Sequence, residues 1–278
     1  MANIDLAYDD AGDGGQTFLL IHGAFGRRSD YVRQIEYFSP TSRVIAVDLR
    51  GHGDSDAPES GYSISQFAED VATLANGLDL EKVNVVGHSM GGVIAVELGS
   101  RFPELVGAIA TLDSPSIIPG WHDQHTGPYG EAMHGPNYRQ VLREFLDVAS
   151  SATDDAERRA ESEASIERMS EHAIFGTWDA IGDWDPELAL RDFRAPFLYL
   201  DHGQPDLDFD LLRTFAPQVV TGKTVGAGHR ALLEVPDQVN AMLDRFFSLA
   251  PILSEEARSS VGGFRYRADG KKGEPVGS

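Results

Sequence analysis

Val83-Asn84-Val85-Val86-Gly87-His88-Ser89-Met90-Gly91-Gly92-Val93-Ile94-Ala95-Val96-Glu97-Leu98 is the stretch that decides how this chain is read. A short β-branched apolar run feeds a serine set between glycines, and an apolar segment follows it, which reads as strand, tight turn and helix. Gly87 and Gly91 have no Cβ, so the turn can close sharply and hold Ser89 proud of the strand. A hydroxyl at that point sits at a helix N-terminus, where the dipole favours developing negative charge. It becomes a nucleophile once a base removes its proton. The G-x-S-x-G pattern alone arises often by chance; the strand before it and the helix after it make it specific. Met90 N–H is then expected to face a substrate oxyanion.

Outward from the elbow, short apolar runs alternate with longer segments of helical periodicity, the pattern of a mostly parallel sheet covered by helices on both faces. Strands are expected at 4–8 (an edge), 17–21, 44–47, 83–86, 108–112, 197–200 and 218–225. Helices are expected at 63–78, 90–102 and 236–249, the first with Ser63 or Ser65 as N-cap. The alternation breaks between 112 and 197. That interval holds helical stretches at 138–148 and 155–172 and an aromatic segment with Phe175, Trp178 and Trp184. It is too long for a plain loop and reads as helices lying over one end of the sheet. The expected organisation is an α/β core of residues 1–113 and 196–250, a helical cap at 114–195 and a flexible C-terminal tail at 251–278. No internal repeat is visible.

With those motifs in place the chain resembles the α/β-hydrolase family over residues 4–250. Leu19-Leu20-Ile21-His22-Gly23-Ala24-Phe25-Gly26 is similar to the family's His-Gly oxyanion loop. The resemblance implies that Ala24 N–H is a second oxyanion donor, and that Phe25, with His88 and Trp121, lines the substrate pocket. It also implies a cap inserted after the sixth strand, and a leading strand that is short or absent here. Val47-Asp48-Leu49-Arg50-Gly51-His52-Gly53-Asp54-Ser55 is similar to the family's D-x-R-G-x-G-x-S stretch and reads as support for the oxyanion loop. Family members that open epoxides or displace halides carry Asp at the nucleophile position, whereas this chain has Ser89.

Gly226-Ala227-Gly228-His229 follows the last expected strand and looks like the family's histidine loop. An imidazole can take the serine proton near neutral pH and return it to a leaving group, so His229 is the expected base. The third member should be a carboxylate that fixes the imidazole tautomer. The family's G-x-x-D pattern after strand 197–200 selects Asp206, in the order Ser, Asp, His. Asp113, at the end of the preceding strand, is the other location the family uses, and Asp208 and Asp201 lie close by in sequence. His122, Asp123 and His125 are read as loop residues and not as a metal site, for want of a third ligand.

Composition bounds the partners. With 44 acidic against 23 basic side chains the net charge is -21, which repels phosphate backbones and anionic membranes, so neither nucleic acid nor membrane is expected as a partner. The absence of cysteine excludes disulfides and thiolate chemistry. No basic-then-apolar leader opens the sequence, and a cytoplasmic monomer or homodimer is the default expectation. The expected activity is that of a serine esterase or lactonase, cleaving small, largely apolar esters or lactones without cofactor or metal. Carbon–carbon bond hydrolysis, haloperoxidase-type perhydrolysis and cofactor-free oxygenation on the same scaffold are the enzymatic alternatives. A ligand-binding receptor with vestigial hydrolase activity is the alternative of another class.

Overall fold

The computed structural model describes residues 4–149, 156–204 and 206–259. Its centre is a seven-stranded sheet built from β1 (Tyr8–Ala11), β2 (Thr17–Ile21), β3 (Arg43–Val47), β4 (Val83–His88), β5 (Val106–Leu112), β6 (Phe197–Asp201) and β7 (Val219–Lys223). The spatial order is β1-β3-β2-β4-β5-β6-β7. Only β1 runs antiparallel to its neighbour; every other pairing is parallel. The helices in chain order are α1 (Val32–Phe38), α2 (Ile64–Gly77), α3 (Met90–Arg101), α4 (Trp121–Thr126), α5 (Gly130–Met133), α6 (Tyr138–Ala149), α7 (Ala156–Arg168), α8 (Glu171–Gly182), α9 (Pro186–Arg191), α10 (Phe209–Phe215), α11 (Ala231–Glu234) and α12 (Pro236–Ser259).

The central strands are apolar throughout because both faces are covered. In β2, Leu19 and Ile21 join one core with α2 and α3, while Phe18 and Leu20 join a second with α1 and α12. From β2 the chain steps to β3 on one side and returns to β4 on the other. The order therefore reverses between β2 and β4, and in open α/β sheets ligands bind at the carboxyl ends of strands flanking such a switch. The His-Gly loop leaves β2 there and Ser89 leaves β4.

The sequence places most elements within a residue or two, with informative exceptions. The edge strand expected at 4–8 lies instead at Tyr8–Ala11. Its exposed Asp9 and Asp10 are held by Arg28 and Arg43, so the strand lacks the apolar alternation that betrays strands. Residues 4–7 run beside the chain after β3, with Asp48 N–H donating to Ala7 O at 2.8 Å. Ser63 caps α2 by accepting from Gln66 N–H, and Ser65 instead donates to the buried Glu97. Helix α12 runs on to Ser259, past the tail boundary expected at 251. The rest of that tail, 260–278, lies outside the described residues.

The long excursion leaves the fifth strand of this sheet, not the sixth, and carries α4 to α9. Met133, Leu142, Ile166, Met169, Ala173, Ile174 and Trp178 form a third apolar cluster, and Phe25 from the β2 loop is part of it. Ala180, Ala189, Leu190 and Phe193, near the end of the excursion, pack into the main core instead. Trp184 Nε1–H donates to Glu97 Oε2 at 3.0 Å, which ties the same region to α3. Among the described residues, no helix is long and apolar enough to cross a membrane.

Candidate active site

Ser89 sits between β4 and α3 at φ 51, ψ -119, a conformation that L-residues adopt only under constraint. The constraint is the packing of the first turn of α3 onto the end of β2. A Cβ at Gly91 would lie 2.0 Å from Ile21 O and 2.6 Å from His22 O, so no other residue fits without moving the helix off the sheet. Ser89 N–H is held by Leu112 O at 2.9 Å. The His-Gly loop crosses directly over the elbow: a Cβ at Gly23 would stand 3.1 Å from Ser89 Cβ and 2.9 Å from His88 Nδ1. Ala24 and Met90 thus flank Ser89 in sequence-distant segments that the glycine contacts bring together.

Two buried histidines fix that loop. His22 donates from Nδ1 to Gly23 O at 2.7 Å and accepts Leu49 N–H at Nε2 at 3.0 Å. His52 donates from Nδ1 to Arg50 O at 2.8 Å and accepts Phe25 N–H at Nε2 at 3.2 Å. A ring nitrogen that accepts from a backbone N–H carries no proton, so both imidazoles are neutral with the proton on Nδ1. Burial pushes His22 down to about 4, and burial with the nearby His22 pushes His52 down to about 3. The pair therefore brackets Ala24, one through the preceding carbonyl and one through the following N–H. This is the physical content of the D-x-R-G-x-G-x-S stretch: Asp48 holds Arg28 and Asp54 N–H, and Ser55 Oγ donates to Asp48 O.

These groups set an acid limit to folding. The unfolded chain takes up protons near the ordinary histidine value while the folded chain does not. Their contribution is therefore full above about pH 6.5 and lost as pH falls toward about 4 for His22 and about 3 for His52, at about 1.4 kcal/mol per pH unit for each. Denaturant titrations between about pH 4.5 and 6.5 should show stability falling with pH, and His52→Asn should make that slope shallower by up to one proton. An unchanged slope would contradict a neutral His52.

His229 lies on the loop between β7 and α11, with its ring over His88 at 4.7 Å between centroids. His88 Nε2–H donates to His229 O at 2.7 Å, and burial holds the His88 imidazole well below the usual range. His88, expected in the pocket lining, thus braces the backbone of the histidine loop. His229 Nδ1 is 2.6 Å from Oδ2 of Asp113, which is fully buried and stands at φ 47 immediately after β5. Burial alone would raise the Asp113 carboxyl, but the bonds from His229 and from Gln204 Nε2, at 2.8 Å, outweigh it and hold it below the ordinary value.

Asp206, the acid that the loop pattern selects, is elsewhere. Its side chain is 77% exposed and, among the described residues, meets His125 Nε2 at 3.4 Å. The reason lies at the end of β6. Asp201 is engaged by Lys223 and by Gly203 N–H, and Asp208 caps α10 through Leu211 N–H, while the Asp206 side chain between them faces solvent. A surface recess of about 500 Å³ is lined there by residues 206–210, away from Ser89. Trp121 stacks on His125 at 4.3 Å between ring centroids, at this rim. Phe25, 4% exposed, is a member of the apolar cluster formed with the excursion between β5 and β6. Gln204 and the buried His202, whose Nδ1 is 2.8 Å from Thr224 Oγ1, carry no motif that sequence reading could have used.

Ser89 in a strained elbow, His229 with its ring against that of the preceding His88, and a buried carboxylate on His229 Nδ1 are the types of group that nucleophilic acyl transfer uses. A family model described as alpha/beta hydrolase fold matches residues 16–195. A Haemophilus influenzae protein named "Putative esterase/lipase" is 27% identical over 245 residues, 84% of this chain and 83% of that protein. A Synechocystis protein named "Putative non-heme chloroperoxidase" is 30% identical over 270 residues, covering 88% of this chain and 95% of its own. The solved structure of Est816, described as an N-acyl homoserine lactone degrading enzyme, superposes with a TM-score of 0.77 at 27% identity, over 87% of this chain and 97% of that one.

Proposed function

Since the chain belongs to the alpha/beta hydrolase fold family, we propose that it is a serine hydrolase cleaving small, largely apolar carboxylic esters or lactones through an acyl-enzyme on Ser89. Ser89 Oγ attacks the carbonyl carbon as His229 Nε2 takes its proton. Asp113 holds the proton on Nδ1 and stabilises the imidazolium. Ala24 N–H and Met90 N–H receive the oxyanion. His229 then protonates the leaving alkoxide, and water, deprotonated by the same imidazole, releases the acid. In a lactone the alkoxide stays attached to the acyl chain, so the product is a single hydroxy acid.

The observation that carries this reading is the 2.6 Å contact of His229 Nδ1 with the buried Asp113 carboxylate, on a loop braced by the residue preceding Ser89. Supporting the choice of bond are the esterase and lactone-degrading relatives, and supporting an apolar acyl group is the apolar cap cluster that reaches Phe25. The test is labelling with a fluorophosphonate probe, followed by intact mass and peptide mapping. One adduct per chain, on Ser89, is expected; none on folded protein would sink the acyl-enzyme. Turnover of short-chain nitrophenyl esters against N-acyl homoserine lactones then separates the two substrate classes. The chloroperoxidase-named relative favours one further reading, attack of hydrogen peroxide in place of water on the same acyl-enzyme. Peracid formation measured beside ester hydrolysis distinguishes it.

A further inference from the structure

We propose that Gln204 is a positioning residue for the triad: its side-chain amide fixes the Asp113 carboxylate from the loop after β6 while leaving the carboxylate's charge uncancelled. This rests on the acyl-enzyme reading above and adds to it a residue that the triad alone does not call for.

The placement follows from the sheet. Strands β5 and β6 are paired in parallel up to Leu112 and Leu200, and Asp113 N–H donates to Leu200 O at 2.9 Å, so the loop leaving β6 starts beside Asp113. That loop is a fixed turn. Asp201 Oδ1 accepts Gly203 N–H at 2.7 Å while Asp201 Oδ2 is paired with Lys223, and Gly203 takes φ 111, which only glycine adopts cheaply. The turn brings Gln204 back over the end of β5, where Nε2–H meets Asp113 Oδ2 at 2.8 Å. Asp113 Oδ2 thereby receives two donors, His229 Nδ1–H and Gln204 Nε2–H, while Oδ1 has no hydrogen-bond partner among the described residues. One oxygen clamped from two sides sets the carboxylate's rotation, and with it the line along which the imidazole is held.

The residue type matters as well as its position. A lysine or arginine at 204 would neutralise the charge that stabilises the imidazolium, and a carboxylate would compete with Asp113 for His229. A neutral amide donates without doing either. The other titratable groups in the field of Asp113 are His88, His202, Tyr199 and His229, and all four side chains are retained in variants at 204.

The test compares the full-length wild type with Gln204→Leu, which keeps the bulk and removes the donor, and Gln204→Glu, which keeps the reach and adds charge. With a nitrophenyl ester, Gln204→Leu is expected to lower kcat about ten- to a hundredfold with KM within about twofold. The acidic limb of its kcat/KM profile should move up by about one pH unit, since an Asp113 carboxylate without its second donor holds the imidazolium more tightly. Gln204→Glu should move the limb further in the same direction. The rate of fluorophosphonate labelling of Ser89 should slow in parallel with kcat. A variant that only loosens the loop would lose thermal stability and activity without shifting the limb, and that outcome overturns the proposal. So do profiles and labelling rates that superimpose on the wild type in both variants. Wild-type protein that labels nowhere is the separate failure of the acyl-enzyme itself.

Discussion

Asp113→Asn is expected to lower kcat about ten-thousand-fold, while Asp206→Asn leaves kcat and KM within about twofold of wild type. The contrast is large because the two aspartates differ in what they touch. Asp113 is fully buried with its Oδ2 on His229 Nδ1, whereas Asp206 is 77% exposed and, among the described residues, meets His125. Asparagine at 113 would fill the same space but present an amide that can donate to Nδ1. The ring proton would then move to Nε2, and an imidazole protonated there has no lone pair for the Ser89 proton. The loss should fall on kcat and kcat/KM alike, because the interaction stabilises the imidazolium formed in the transition state. Steady-state ester hydrolysis by the two purified variants decides the point. Activity lost with Asp206→Asn and kept with Asp113→Asn would return the acid to the loop after β6.

Ser89→Ala and His229→Ala are each expected to cost about a million-fold in kcat, and the double variant no more than either single one. The two groups act as one device, so removing the hydroxyl leaves nothing for the imidazole to activate. The rate that remains should still exceed the uncatalysed reaction by about a thousandfold or more, because neither change touches the N–H groups of Ala24 and Met90. Neither variant should be unstable, since the elbow is held by the packing of Gly91 against Ile21 O and His22 O and not by the serine hydroxyl. Single-turnover measurements beside the probe-labelling assay would check both statements. Ester turnover within tenfold of wild type in Ser89→Ala would remove the nucleophile from the mechanism.

What could be read from the sequence was local. The elbow and the His-Gly loop are contiguous, and their glycines report close backbone approach directly. Strands β2 to β6 stand out because burial on both faces makes them continuously apolar. β1 does not, because Asp9 and Asp10 occupy an exposed edge and are stabilised by arginines far away in sequence. The position of the acid is a non-local property. Four aspartates stand in residues 201–210, and only the direction in which the chain turns after β5 and β6 separates them from Asp113. That direction depends on Asp113 at φ 47 and Gly203 at φ 111, neither of which periodicity reports. The expectation of an insertion after the sixth strand comes from the resemblance and not from the run of strands, which already puts five before it; the chain leaves its fifth strand into the excursion.

Phe25 belongs to two structures at once. Its side chain is packed among Met133, Ile174 and Trp178, and its backbone N–H is tied to His52 one residue from Ala24. The excursion between β5 and β6 is consequently not an interchangeable module. The corresponding segment borrowed from a relative would bring a different socket for residue 25, and the peptide that carries Ala24 N–H would settle elsewhere. Change in the excursion and upkeep of the loop beside Ser89 are coupled through one aromatic ring, so residue 25 has to travel with any such segment that is exchanged.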